Sequence, residues 1–188
     1  ADNHDIEFLP GSGSTLFSCN DGGIFKTTDG ATSWNDISNG LSITQFYRLG
    51  CSATNPDLIY LGAQDNGTNR YDGTNWEQVY GADGMEALVD YTDDNIVYVS
   101  SQGGSLQKST DGGNTFNDIS PTYGGAWTTP YVMHPTNSLI LFAGYDDVYK
   151  TTDGGSFWNA ISTGLTGGAT IRTLVVANSD PNYIYAGI

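Results

Sequence analysis

One short phrase returns four times along the chain and narrows the folds open to it: IFKTTDGATSW at 24–34, TNRYDGTNW at 68–76, LQKSTDGGNTF at 106–116 and VYKTTDGGSFW at 148–158. The aspartates at its centre, Asp29, Asp72, Asp111 and Asp153, lie 43, 39 and 42 residues apart. A second marker keeps the same period: an apolar run ends in an aromatic followed by small residues at Phe17, Tyr60, Tyr98, Phe142 and Tyr185. Self-similarity at this spacing is the signature of a repeat architecture, in which each unit buries its apolar faces against its neighbours.

Each period divides into four short runs rich in β-branched and aromatic residues, separated by Gly, Asn, Asp and Pro turn signals. In the second unit these are FYRLGCSA, LIYLGA, TNRYD and WEQVY. Four antiparallel strands in one such period make a propeller blade, so the expected class is an all-β propeller of four-stranded blades. Blade one is read at 1–40, blade two at 41–81, blade three at 82–121 and blade four at 122–164, with two strands of a fifth at 165–188, as one partial propeller. Half a blade leaves a strand edge open, which folded β proteins avoid. The chain therefore reads as a fragment of a larger propeller, completed by the remaining blades of a parent chain or by another protein chain.

Composition removes several function classes. Among 188 residues, 6 Lys and Arg face 21 Asp and Glu, a formal charge of -15. Such a surface repels phosphate backbones and anionic membranes, so no nucleic-acid partner is expected. No apolar run is long enough to span a bilayer, so no membrane insertion is expected. Cys19 and Cys51 match no zinc spacing and fall near opposite ends of their strands, which predicts two buried, unpaired thiols.

The repeated phrase resembles the Asp-box of bacterial neuraminidase-type (BNR) repeats: Ser or Thr, any residue, Asp, any, Gly, any, Thr, Trp. Ser109, Asp111, Gly113, Thr115 and Phe116 follow it nearly in full, whereas unit two is one residue shorter and Asn69 is read at its Ser or Thr position. In such a turn the aspartate accepts backbone N–H bonds, the glycines supply positive φ and the aromatic packs between blades. Asp29, Asp72, Asp111 and Asp153 are accordingly assigned structural roles.

Connections in an antiparallel meander alternate between two ends. The loops joining the second strand to the third, and the fourth to the next blade, therefore share the rim opposite the Asp-boxes. This rule places Asp21, Asp65 and Asp146 or Asp147 at one rim, and the inter-blade loops add Gln45, Tyr47, Arg48, Asp83, Glu86, Trp127 and Tyr131, with His4 pointing to the same end. Ligands of propellers sit over the central channel, so His4, Gln45, Tyr47, Arg48, Asp65, Trp127 and Tyr131 are the candidate ligand-binding residues. Asp-Gly and Asp-Asn are also ordinary turn residues, and aromatics also pack blades, so each has a structural reading beside the functional one.

Glycoside hydrolysis needs two flanking carboxylates, and Asp65, Asp21, Asp83 and Glu86 are the candidates for that pair. A sialidase would need an arginine cluster, and the chain has only Arg48, Arg70 and Arg172. No cofactor is expected; calcium at clustered aspartates is chemically sensible, yet no calcium-loop pattern occurs.

Taken together, DNHDIEF, CNDGGIFKTTDG, TQFYRLG, LGAQDNGT and GADGMEALVD look like the sortilin-like, Asp-box propellers of secreted Bacteroidota proteins, often exported by the type IX system and described as glycosyl hydrolase-like. That resemblance implies propellers of seven blades or more, or two propellers in tandem, and a secreted or cell-surface location. LIYLGAQDNGTNRYDG also resembles a blade of xyloglucan-cleaving propeller hydrolases, where an aspartate in the position of Asp65 acts catalytically and the second acid lies in another propeller. The expected function is a noncatalytic extracellular segment that binds glycan or protein, or scaffolds a larger surface protein. The alternative is a glycoside hydrolase module with Asp65 as one acid.

Overall fold

The computed structural model describes residues 2–122 and 124–188. Two compact units divide the chain, the first ending at Gln45 and the second covering Phe46–Ile188.

The first unit is one antiparallel sheet of β1 (Asn3–Phe8), β2 (Leu16–Asn20), β3 (Gly23–Thr27) and β4 (Asn35–Asp36), hydrogen-bonded in chain order. The second unit repeats that meander three times. Its sheets are β5 (Phe46–Cys51) to β8 (Trp76–Tyr80), then β9 (Gly84–Asp90) to β12 (Asn117–Asp118), then β13 (Tyr131–His134) to β16 (Trp158–Ala160). Between them come β6 (Leu58–Ala63), β7 (Gly67–Asp72), β10 (Asp93–Ser101), β11 (Ser105–Ser109), β14 (Asn137–Gly144) and β15 (Val148–Thr151). A two-stranded ribbon, β17 (Thr173–Val176) and β18 (Ile184–Gly187), completes the described strands. These are four four-stranded antiparallel sheets and one pair of strands, the arrangement of successive propeller blades.

The core lies between sheets. Tyr60 from β6 meets Ala87, Val89, Val97 and Val99 of the next sheet. Tyr98 and Leu106 pack with Tyr131, Leu141, Ala143 and Tyr145, and Phe142 and Val148 pack with Ile171 and Leu174. Strand β10 is covered on both faces, so Val97, Tyr98 and Val99 are all buried and its sequence reads as an unbroken apolar run. The fourth strand lies at one edge of each sheet and is shortest in β4 and β12, at two residues each.

Blades two and three approach with almost no room for side chains. A Cβ on Gly62 would lie 1.9 Å from the Met85 carbonyl oxygen, and one on Gly50 would lie 2.5 Å from that of Ala87. Only glycine lets β6 and β5 come this close to β9.

Two of the aspartate turns share one full hydrogen-bond scheme, and the others keep part of it. Asp111 Oδ1 accepts from the Ser109 hydroxyl at 2.7 Å, the Asn114 amide at 3.0 Å and the Thr115 amide at 2.9 Å, while Oδ2 accepts from the Thr115 hydroxyl at 2.6 Å. Asp29 makes the same set with Thr27, Thr32 and Ser33, whereas Asp153 keeps the Thr151 hydroxyl and the Phe157 amide and has no hydroxyl on Oδ2, because phenylalanine stands where Thr115 and Ser33 stand. Asp72 keeps only the amides of Thr74 and Asn75, each at 2.8 Å. The reading of Asn69 at the Ser or Thr position needs correction. Arg70 stands two residues before Asp72, and the Asn69 amide instead donates to the Asn66 carbonyl. The cysteines also differ from expectation: both are free thiols, but Cys19 is half-buried and Cys51 is exposed, because β5 is covered on one face only.

Candidate functional site

Within the second unit, the loops between sheets and the loops between second and third strands meet at one rim. The Asp65 amide, in the β6–β7 loop, donates to Asp83 Oδ1 at 2.8 Å, and the Asp83 amide donates to Gln102 Oε1 at 3.1 Å. Gly103 then donates to the Trp127 carbonyl at 3.2 Å. These bonds link blades two, three and four in sequence. At the opposite end, the Gly112 and Gly154 amides of the aspartate turns donate to the Asn95 and Leu139 carbonyls, near the starts of the second strands β10 and β14.

Backbone strain is concentrated at the same rim. Asp65 has φ 58° and Ala82, beside Asp83, has φ 63°, left-handed values that non-glycine residues seldom adopt. Such conformations persist where surrounding contacts over-determine them, and they cluster at functional surfaces.

An aromatic platform stands over this belt. Trp127 is 52% exposed, yet its ring is fixed: Nε1–H donates to the Tyr47 hydroxyl at 3.1 Å, and that hydroxyl donates to Gln64 Oε1 at 2.7 Å. Beside Tyr47, Arg48 donates from Nη1 to the Tyr47 carbonyl at 2.9 Å and holds Nε 3.6 Å from Glu86 Oε2. The guanidinium is 54% exposed and the Glu86 side chain 17%. Burial pushes the Glu86 carboxyl up to about 7, against the opposing pull of Arg48. At neutral pH this group is therefore divided between a hydrogen-bond donor and a charged acceptor.

The remaining predicted rim residues fall elsewhere. Tyr131 is 2% exposed and its hydroxyl donates to the Glu86 carbonyl at 3.0 Å, so it supports the Glu86 strand from below and offers no ring to a ligand. Its position between two packed blades raises its hydroxyl pKa well above the usual tyrosine value, by burial first and by the Glu86 charge second. Asp147 accepts from Ser162, Gly164 and Leu165, which holds its carboxyl below the usual range and ties it to its own loop; Asp146 accepts from the Asp147 amide. His4 and Asp21 belong to the first unit, where His4 Nε2 pairs with Asp21 Oδ1 and the Asp2 amide reaches Asp21 Oδ2. Gln45 is exposed at the end of that unit. Gln64, Gln102 and Ser100, whose hydroxyl accepts from the Glu86 amide at 3.1 Å, belong to the rim although no motif marks them. Their only signal is a polar side chain beside a rim loop.

Among the described residues, no group of three or more His, Cys, Asp or Glu side chains converges as a metal site would, and no helix is long and apolar enough to cross a membrane. What the rim holds is a rigid aromatic face, a cation, a carboxyl poised near neutrality and the Asp83 carboxylate tied to the Asp65 backbone amide. That set suits a polar ligand with flat apolar patches, of which a sugar chain is the common example.

No protein-family profile matches the sequence. Over 117 residues, 60% of this chain, it is 29% identical to a xyloglucanase of Hypocrea jecorina (strain QM6a), and the match covers 14% of that protein. Among solved structures, an ancestral GH74 enzyme aligns with 86% of this chain and 24% of its own length at a TM-score of 0.55 and 17% identity. YCF48 from Cyanidioschyzon merolae aligns with 98% of this chain and 63% of its own length at 0.52 and 14% identity. The chain thus spans a small part of the xyloglucanase and about a quarter of the ancestral enzyme. The structural likenesses establish the fold as a run of β-propeller blades, and the sequence likeness to the xyloglucanase extends over 60% of this chain.

Proposed function

We propose that these blades form a glycan-binding part of a secreted or cell-surface propeller, with the rim of blades two to four as its binding face. The observation that carries this reading is the Trp127–Tyr47–Gln64 chain of hydrogen bonds, which holds a half-exposed indole in place before any ligand arrives. A prearranged aromatic face loses little side-chain entropy on binding. Arg48, Glu86 and Asp65 beside it supply the directional polar groups that discriminate between sugars. Sequence kinship to a xyloglucanase makes a β-glucan such as xyloglucan the first ligand to try. The test is calorimetric titration of the 188-residue chain with a polysaccharide panel. Saturable binding that weakens at least tenfold in Trp127→Ala, with unchanged melting, supports the reading. Absence of binding across the panel, or binding indifferent to Trp127, contradicts it.

One observation favours a second reading, hydrolysis. Glu86 keeps its proton to about 7, as a general acid requires, and Asp65 lies on the same rim in the position of the catalytic aspartate that the sequence resemblance implies. Release of reducing ends from the bound polysaccharide, lost in Asp65→Asn, establishes this reading. Binding without release leaves the rim as a lectin-like surface.

A further inference from the structure

Four of the six Lys and Arg residues in the chain serve the repeat, because they lie on the third strands β3, β7, β11 and β15. Arg70 and Lys108 donate to the turn carbonyls of Gly112 and Gly154, and Lys26 and Lys150 lie over the Phe17 and Phe142 rings. Arg48 departs from that rule. It sits on a first strand, two residues before Gly50, which pairs with Tyr60. Glu86 has the same place on the next first strand, two residues before Leu88, the partner of Tyr98. In blade four the place falls to Pro130, two residues before Val132, the partner of Phe142. One repeat position at the rim therefore carries a cation, an acid and a proline in turn, and no rule of the fold requires the cation.

Of the Arg48–Glu86 pair, the positive member faces solvent and the acid lies beneath it. This polarity runs against the formal charge of -15 on the chain as a whole. The pair is also loose: Nε stands 3.6 Å from Oε2, beyond hydrogen-bond reach. Burial keeps the Glu86 carboxyl partly protonated at neutral pH, so it compensates the guanidinium only in part. A guanidinium has five N–H donors. Among the described residues one of them, on Nη1, has an acceptor, the Tyr47 carbonyl at 2.9 Å. That bond fixes the guanidinium plane and leaves its Nη2 group open. Tyr47 thus positions two groups, the cation through its carbonyl and the Trp127 indole through its hydroxyl.

We infer that the rim is selective for glycans that carry carboxylates, the uronic acids, with a sugar ring stacked on Trp127 and the carboxylate on the open edge of Arg48. The inference rests on the glycan-binding reading and narrows its ligand class. A neutral sugar offers hydroxyls, which accept single bonds and leave the guanidinium charge uncompensated. A carboxylate accepts two parallel N–H bonds in the guanidinium plane and supplies the missing charge. Because the Tyr47 carbonyl already holds that plane, little side-chain entropy is lost when the ligand arrives. The acidic background repels an anion at long range, but salt screens charges farther apart than roughly 8 Å and leaves the direct contact in place.

The probes are a matched pair of β-1,4-linked hexasaccharides, one of glucose and one of glucuronate, titrated calorimetrically into the 188-residue chain at about 0.15 M salt. They differ only in the oxidation of the C6 carbon, so their affinity ratio reads the carboxylate alone. Expected is at least tenfold tighter binding of the glucuronate chain. Arg48→Gln should bring the ratio close to one, and Arg48→Lys, which keeps the charge and loses the fork, should retain only part of it. Glu86→Gln removes the competing charge and should widen the ratio. Trp127→Ala should weaken both ligands alike. Thermal melting of each variant separates lost binding from lost fold, and a ratio is read only for variants that melt as the native chain does. Equal or tighter binding of the neutral hexasaccharide overturns this inference while the glycan-binding reading stands. A preference for glucuronate that survives in folded Arg48→Gln overturns it as well. Binding of neither hexasaccharide nor any member of the polysaccharide panel overturns both.

Discussion

Glu86 and Asp111 belong to one sheet and meet opposite electrostatic fates at its two ends. At the turn end, Asp111 accepts two backbone amides and two hydroxyls, and these bonds hold its carboxyl down to about 2. At the rim end, Glu86 is enclosed by neighbouring blades with only Arg48 as a counter-charge, and its carboxyl rises to about 7. Donors within hydrogen-bond reach favour the charged form, whereas burial without them favours the neutral one. An acidic residue in this chain is therefore informative only together with its donors. The turn carboxylates are occupied by the fold, and the rim carboxyl is not.

The largest change expected from any single substitution comes from closing the gap that buries Glu86. Gly62→Ala forces a methyl to 1.9 Å from the Met85 carbonyl oxygen, and overpacking against backbone at this distance should destabilise the chain by about 3 kcal/mol or more. Denaturant unfolding checks this, and the Glu86 pKa of any folded remainder should fall toward the ordinary 4.5 as the blades part.

Next in size is the turn end. Asp111→Ala strips four hydrogen bonds from one turn, and its melting temperature should fall clearly further than that of Asp72→Ala, which removes two. Equal losses in the two variants would break the claim that the full bonding scheme locks the blade.

The two ends should also respond to pH in opposite directions. The Asp111 carboxyl is lower in the fold than its ordinary 3.8, so its stabilisation is present above 3.8 and is lost as pH falls through about 2. The Glu86 carboxyl is higher than its ordinary 4.5, so the folded state retains a proton that the unfolded chain releases. Stability should then decline as pH rises from 4.5 through about 7, by no more than about 3 kcal/mol. Thermal unfolding across pH 4 to 8 should show this decline in the native chain and a flatter course in Glu86→Gln.

The smallest stability effect belongs to the aromatic platform on which glycan binding is proposed. Trp127→Ala removes a half-exposed ring and its bond to Tyr47, so the chain should lose about 1 kcal/mol or less while glycan binding falls at least tenfold.

The period, the four strands per blade and the turn aspartates are legible in the residues because they follow from local rules: alternation, Asp-Gly turns and a motif repeated in register. Loop alternation also places Tyr47, Arg48, Asp65, Asp83, Glu86 and Trp127 at the rim without coordinates. What stays hidden is which of them touch. The Trp127–Tyr47 bond spans 80 residues of sequence and depends on how closely blade two packs on blade three, which the glycines at 50 and 62 permit but do not announce, and on how the loop after blade three then folds back. Tyr131 shows the same limit from the other side. Its place at the start of β13 suggests exposure, and only the packing of β9 against β13 buries it.

Site-resolved titration of the carboxyl carbons by NMR tests the contrast between the two ends most directly. Glu86 titrating near 7 and Asp111 near 2 in the same folded sample is the predicted result. A Glu86 carboxyl that titrates near 4.5 while the fold stays intact would contradict it, and would remove the observation on which the hydrolytic reading of the rim depends.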